Sequence, residues 1–230
     1  LVLLDLGVGN SVIRYVAKYR ADNDIQAQKK FLGVTTIYYL LIAFVALGIS
    51  TVILVLFPTV FAKGLSAEEV QLAEKLFSIT MCAVAFSLGT SAFSNTVIAY
   101  ERFSVSKGTV IILTVLKILM SVVALKLGFG SMGIVIVNFC ITILTRSIHV
   151  VYVLFILKIR PSFKKVEFSY VKEIASFSSF VLLQMVASQI NAMSDQVLLG
   201  IFAKGASVII GIYGVGAQVL QYFKTIGSHF

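Results

Sequence analysis

Long apolar stretches separated by short polar connections make up almost all of the chain. Complete ones run over residues 33–57, 76–98, 107–127, 132–157, 174–200 and 206–229, and each exceeds the roughly 20 residues a helix needs to cross the hydrocarbon core of a bilayer. Residues 1–20 read as the truncated last part of an earlier span, so seven spans are expected, the first incomplete. The connections carry helix punctuation. Pro58 and Pro161 fall just past the ends of spans, residues 128–133 supply a glycine-rich turn, and Ser66-Ala67-Glu68-Glu69 has the form of a capping box opening the helix that leads into 76–98. The pattern predicts an all-α polytopic membrane protein.

Composition agrees with that class: 59% of residues are hydrophobic and 13% charged, with a mean hydropathy of +1.00, more apolar surface than a water-soluble domain can bury. The net charge of +9 would point to nucleic acid in a soluble protein, but its placement says otherwise. Arg14, Lys18, Arg20, Lys29, Lys30, Arg102, Lys107, Lys158, Arg160, Lys164, Lys165, Lys172 and Lys224 lie on one side of the membrane. Only Lys63, Lys75, Lys126 and Lys204 lie on the other. Thirteen against four puts the first side, with loops 99–107 and 158–173, in the cytoplasm. The excess charge is a topology signal and an attraction to anionic membrane lipids, with no nucleic-acid partner expected. Cys82 and Cys140 sit inside apolar runs, where neither a disulfide nor a metal site is suggested. The two histidines, His149 and His229, form no catalytic or metal-ligand cluster, so no enzyme and no cofactor is expected. The run Gly128-Phe129-Gly130-Ser131-Met132-Gly133 fits the dinucleotide fingerprint literally, yet it joins two spans and follows no strand, so it is a turn.

One nonapeptide occurs twice. Gly7-Val8-Gly9-Asn10-Ser11-Val12-Ile13-Arg14-Tyr15 returns 207 positions later as Gly214-Val215-Gly216-Ala217-Gln218-Val219-Leu220-Gln221-Tyr222, with five of nine residues identical. The two copies are six crossings apart, so both run from outside to inside, and the halves are related by an axis along the membrane normal. A repeat of this length implies a parent chain about twice as long. The expected organisation is an N-terminal lobe lacking its first helix at 1–157, a cytoplasmic inter-lobe linker at 158–173, and the first two helices of a C-terminal lobe at 174–230. The start at Leu1, inside an apolar run, fits a fragment.

Candidate chemistry lies in polar residues at bilayer depth. Lys117 is at the middle of its span and Arg146 near the middle of the next. A charge there costs roughly 2.5–3.5 kcal/mol on the gentlest scale, so each should face protein or water. At 100° per residue, Gln184, Ser188, Asn191 and Asp195 share one helix face, as do Asn138, Thr142, Arg146 and His149. Thr114, Lys117 and Ser121 form a third stripe, and Thr80, Ser87, Ser91 and Ser94 a fourth. Gly7, Ser11, Arg14 and Lys18 form a fifth, mirrored by Gly214, Gln218, Gln221 and Thr225, whereas span 33–57 has no polar row and is expected to face lipid. Helices that each turn one polar stripe away from lipid suit a central hydrophilic cavity, in which guanidinium and ammonium groups would hold phosphate. Arg14, Lys117, Arg146, Gln184, Asn191, Asp195, Gln218 and Gln221 are the candidate cavity residues, and Asp5 and His149 the candidates for proton or ion coupling. Other readings stand beside these. The hydroxyls of the Thr80 stripe could bond within their own helix, and Lys117 or Arg146 could form an ion pair with Asp5 or Asp195. Arg14 could mark the cytoplasmic interface with Lys18 and Arg20, and His149 could be a hydrogen-bonded packing residue. Asp5 and Arg14 point about 180° apart unless Gly7 and Gly9 interrupt the helix.

Leu4-Asp5-Leu6-Gly7-Val8-Gly9 through Arg14-Tyr15-Val16-Ala17, the loop Tyr100-Glu101-Arg102-Phe103, the run from Phe177-Ser178 to Ser188-Gln189-Ile190-Asn191, Asp195 with Leu199-Gly200, and Gly211-Ile212-Tyr213 together resemble the bacterial polysaccharide and O-antigen (Wzx-like) flippases of the multidrug/oligosaccharidyl-lipid/polysaccharide superfamily. The resemblance covers essentially the whole chain. It implies a two-lobe transporter with six helices per lobe in the bacterial inner membrane. The implied activity is to carry a polyprenyl-pyrophosphate-linked oligosaccharide outward by alternating access, for polysaccharide or lipopolysaccharide synthesis, with polymerases as partners. It assigns no binding residue. A cation-coupled drug exporter of the same superfamily would call for more intramembrane acids than Asp5 and Asp195. A membrane glycosyltransferase or polymerase would need catalytic groups in a long outer loop, and the longest outer connection, 58–75, offers only Lys63, Glu68, Glu69, Glu74 and Lys75. A non-transporting scaffold would leave Lys117 and Arg146 unexplained.

Overall fold

The structure, a computed structural model, describes residues 5, 7–61, 67–163, 170, 172, 174–184, 186–188, 190, 214 and 216. Regular structure among them is entirely helical: α1 Val8–Ala21, α2 Ile25–Phe61, α3 Ala67–Gly89, α4 Ser91–Ala99, α5 Phe103–Lys126 and α6 Gly130–Val151, which runs on into a π-helical segment, Tyr152–Ile156. Four stretches are long and apolar enough to cross a membrane, Ile25–Phe57, Glu68–Gly89, Phe103–Lys126 and Gly130–Ile156, so this is a multi-pass membrane protein. A shorter apolar helix covers Ile174–Ser188. Of the expected span 206–229, all but residues 214 and 216 lies outside the described residues, as does Ser66 of the expected capping box.

Local chemistry explains where the observed helices depart from the expected boundaries. The second helix starts eight residues before position 33, because Asn23 takes a left-handed turn (φ 55°) and the Asp24 carboxylate accepts the N–H of Ala27 at 2.9 Å, capping the new helix. Pro58 does not follow that helix but lies inside it, in the last turn. Proline removes a single N–H there, and so close to the helix end the chain accommodates the loss. The expected span 76–98 is broken at Thr90. Its hydroxyl donates to the carbonyl of Phe86 at 2.7 Å, which also accepts the Thr90 N–H at 3.2 Å, and that of Ser91 to Ser87 at 2.8 Å, back-bonding of the kind that bends helices. The turn at 128–129 uses left-handed glycines, Gly128 (φ 82°) and Gly130 (φ 56°).

The chain divides into two compact units, Leu1–Ser179 and Phe180–Phe230. In the first, Val8, Val12 and Val16 form one buried ridge of α1 at four-residue spacing and pack with Phe31, Leu32 and Tyr39 of α2, Ala92, Phe93 and Val97 of α4, and Val153. Around this cluster lies a collar of aromatic and cationic side chains. Tyr19 and Phe31 both meet the edge of Tyr170, Arg20 stacks over Tyr100 at 4.8 Å, and the Tyr100 hydroxyl donates to Gln28 Oε1 at 2.5 Å. Burial raises the Tyr100 phenol above its ordinary value against the opposing influence of Arg20 and Gln28, so it remains a donor. The second helix is split in character. Residues 31–36 and Tyr39 are buried, whereas Leu41, Phe44, Val45, Ile49, Val52 and Val55 are exposed, as lipid contact requires. The expectation that this span faces lipid does not fit its first part, which is buried; the exposed later part is compatible with it.

After the π-helical segment the chain turns at Lys158 (φ 56°) and docks back on α2, where the N–H of Ser162 donates to the carbonyl of Lys29 at 2.8 Å. A Cβ on Gly33 would collide with the Ser162 carbonyl. Gly33→Ala should therefore destabilise the protein by about 1–3 kcal/mol through overpacking, read as a lowered melting temperature in detergent. Gly48→Ala, with nothing within 4 Å of the added carbon, should leave it unchanged or slightly raised.

Candidate functional site

Three of the polar stripes meet around one cavity of about 560 Å³ within the first unit. The third helix contributes Thr80 and Ser87, and α4 contributes Ser94 and Asn95. From α5 come Ser106, Lys107, Thr114 and Lys117, and from α6 Asn138, Thr142, Thr145, Arg146 and His149. The break at Thr90 starts α4 as a separate helix, and Ser94 on it lies beside α6, within hydrogen-bond reach of Arg146. Close approach of α5 and α6 depends on Gly133, where an added Cβ would lie 2.9 Å from that of Ala124.

The hydroxyls divide into two kinds. Thr80 donates to the carbonyl of Leu76 at 2.8 Å, Thr142 to Asn138 at 2.8 Å and Thr145 to Ile141 at 2.7 Å, so each spends its proton within its own helix. Ser94 instead bonds across helices: Arg146 Nη1 donates to its oxygen at 2.8 Å, and His149 Nδ1 lies 3.0 Å from the same oxygen. Lys117 Nζ reaches Asn138 Oδ1 at 3.4 Å, a long contact that leaves most of its donor capacity free. Lys117 stands fourteen residues into α5, about 21 Å along the axis, too deep to snorkel easily.

Asp5 lies just before α1, which begins at Val8 after a left-handed Gly7 (φ 75°). Asp5 and Arg14 therefore do not share one unbroken helix. The Asp5 carboxylate accepts the N–H of Gly9 at 2.9 Å and the hydroxyl of Tyr39, and Asn95 donates to Tyr39 at 3.3 Å. A Cβ on Gly9 would lie 2.7 Å from Asp5 and 2.8 Å from Asn95, so this knot needs the glycine. Among the described residues Asp5 makes no ion pair with Arg146 or Lys117, and no acidic residue lines the cavity.

Arg14 does not line this cavity. It is exposed, with its guanidinium 4.7 Å from the ring of Phe177, and its stripe turns toward the helix at 174, where Ser11 and Ser178 share a 2.9 Å hydrogen bond. Gln184 is helical and exposed in the second unit, while Asn191, Asp195, Gln218 and Gln221 lie outside the described residues. The sequence patterns miss Tyr39, Asn95, Lys107 and Thr145. Tyr39 stands in a span without a polar row, Asn95 and Thr145 neighbour residues already assigned to stripes, and Lys107 counts first as a topology signal. Paired tyrosines at 38–39 in an aliphatic run are the one signal that marks Tyr39.

Hydration of the cavity can be tested by labelling. With the exposed Cys82 and Cys140 replaced by alanine, Ser87→Cys and Thr142→Cys should react with a small charged methanethiosulfonate at least about tenfold faster than Val115→Cys on the lipid-exposed face of α5, since only hydrated thiols ionise readily. Equal rates at all three positions would mean a dry cavity.

Comparison with known proteins follows from this geometry. The family model described as polysaccharide biosynthesis protein matches residues 1–226. No match emerges among curated proteins or solved structures. This chain, whose described residues hold four apolar helices of bilayer length, is matched over nearly its whole length and belongs to the polysaccharide biosynthesis protein family.

Proposed function

We propose that this chain forms part of a flippase that carries a polyprenyl-pyrophosphate-linked oligosaccharide from the cytoplasmic to the outer leaflet of the bacterial inner membrane. The supporting observation is the cavity itself: polar, open, sunk among lipid-length helices, and lined by Lys107, Lys117 and Arg146 without a carboxylate. Such a lining selects for anionic cargo, because two or three uncompensated cations at bilayer depth are stabilised by phosphate and water together. With loops 99–107 and 158–173 in the cytoplasm, as the basic residues indicate, Lys107 marks the cytoplasmic rim and Lys117 lies ten residues, about 15 Å, deeper.

In this reading a lobe of residues 1–157 works together with a second, similar lobe beginning at 174, and Gln184, Asn191, Asp195, Gln218 and Gln221 are that lobe's candidate contacts to the cargo. Amides and hydroxyls meet the sugars, and the cations meet the pyrophosphate. Asp5 accepts from Tyr39, which the cavity-lining Asn95 also contacts, and this supports Asp5 as the candidate for ion coupling. The cation-coupled drug exporter is less well supported, since no carboxylate lines the cavity among the described residues.

Lys117→Gln and Arg146→Gln in the intact protein should each lower lipid-linked oligosaccharide translocation about tenfold or more, the usual cost of a lost charge-assisted hydrogen bond, and the double variant further still, with membrane insertion unchanged. Full activity in both single variants and the double would remove the cargo role.

A further inference from the structure

The side chain of Ser94 has one proton to donate and two lone pairs. A guanidinium can only donate, so Arg146 occupies one lone pair. The other described partner of that oxygen is His149 Nδ1. If Nδ1 carried the ring proton, two donors would converge on Ser94 and its own proton would have no described acceptor. With Nδ1 accepting from Ser94, all three contacts are satisfied at once, and the proton of the neutral imidazole resides on Nε2. That atom is buried and has no partner among the described residues, in a side chain only 4% exposed that lines the cavity. Burying an unmatched donor is costly, so this one implies an acceptor that arrives from elsewhere.

We infer that Arg146 and His149, both oriented by Ser94, form a seat for a phosphoryl group, in which His149 acts as a neutral donor through Nε2–H. The inference rests on the flippase reading and specifies where in the cavity its cargo's phosphate binds. The chemistry favours phosphate because the seat consists of donors. Four of the five guanidinium N–H groups remain after Ser94 is served, and with Nε2–H they suit a group that only accepts. Ser94 is a positioning residue: it fixes the tautomer and aims both neighbours.

The test measures binding of farnesyl pyrophosphate, inorganic pyrophosphate and phosphatidylglycerol to the intact protein in neutral detergent, beside lipid-linked oligosaccharide translocation in vesicles. A glutamine side chain can place an N–H where Nε2 stood, whereas asparagine reaches only the Nδ1 position. His149→Gln should therefore bind farnesyl pyrophosphate within about threefold of wild type and still transport. His149→Asn and His149→Leu should bind about tenfold or more weakly. Ser94→Ala should weaken binding in the wild-type background, less so in His149→Leu where only Arg146 is left to orient, and add nothing to the His149→Leu Arg146→Gln double variant, as a purely positioning role requires. Unchanged binding in His149→Leu and His149→Asn would overturn the seat. So would a His149→Gln protein that binds normally but no longer transports, because the ring would then work by titrating. Equal competition by phosphatidylglycerol would assign the seat to membrane lipid instead of cargo. If His149→Leu fails to fold, the asparagine and glutamine pair decides the matter. Wild-type protein that transports but binds neither pyrophosphate removes the seat and leaves the flippase standing, whereas binding without any transport removes the flippase reading and leaves an anion site.

Discussion

An arginine at bilayer depth cannot escape its charge by losing a proton, so the fold around Arg146 must supply water, a partner or both. Here it supplies a hydroxyl and a hollow. Ser94 takes one guanidinium N–H, and the remaining donors belong to a residue that lines an open, polar cavity. Much of the first unit follows from that need. The break at Thr90 sets α4 apart from α3, and α4 carries Ser94 to Arg146. The small residues Gly133 and Ala124 let α5 and α6 approach closely, so that Lys117 and Asn138 come within reach of each other.

The opposite requirement governs the cluster of α1, α2 and α4. Lipid tails are as apolar as valine, so burying Val8, Val12 and Val16 brings no hydrophobic gain within the membrane, and close packing with internal hydrogen bonds must hold the helices together. The structure meets this with contacts that tolerate no extra carbon: Gly33 under the Ser162 carbonyl and Gly9 between Asp5 and Asn95. Aromatic rings and cations close the end where Arg20 covers Tyr100 and Tyr170 meets Tyr19 and Phe31. A close-packed cluster thus stands beside the cavity, and Asn95 belongs to both, bonding Tyr39 and lining the cavity wall.

Keeping acid and base apart gives the cavity its sign. Were Asp5 paired directly with Arg146, the two charges would cancel and the hollow would lose its attraction for anions. Asp5 instead spends its oxygens on Gly9 and Tyr39. This arrangement leaves the described lining basic.

By itself the sequence determined the class, the helical character of the long apolar segments and half of the cavity lining. Apolar run length and the 100° repeat of polar residues depend only on helix geometry, so Thr80, Ser87, Ser94, Thr114, Lys117, Asn138, Thr142, Arg146 and His149 were legible as faces before any contact was known. Helix ends were less legible, because Pro58 inside a helix and the break at Thr90 depend on which carbonyls compete for which donors. Only the tertiary structure decided that three stripes share one hollow while the stripe of Arg14 turns elsewhere, that Asp5 bonds Tyr39 instead of Arg146, and that Ser94 joins Arg146 to His149. Periodicity gives the direction a residue points around its own axis. It carries no information about which neighbour waits there, and hydrogen bonds between helices depend on that neighbour.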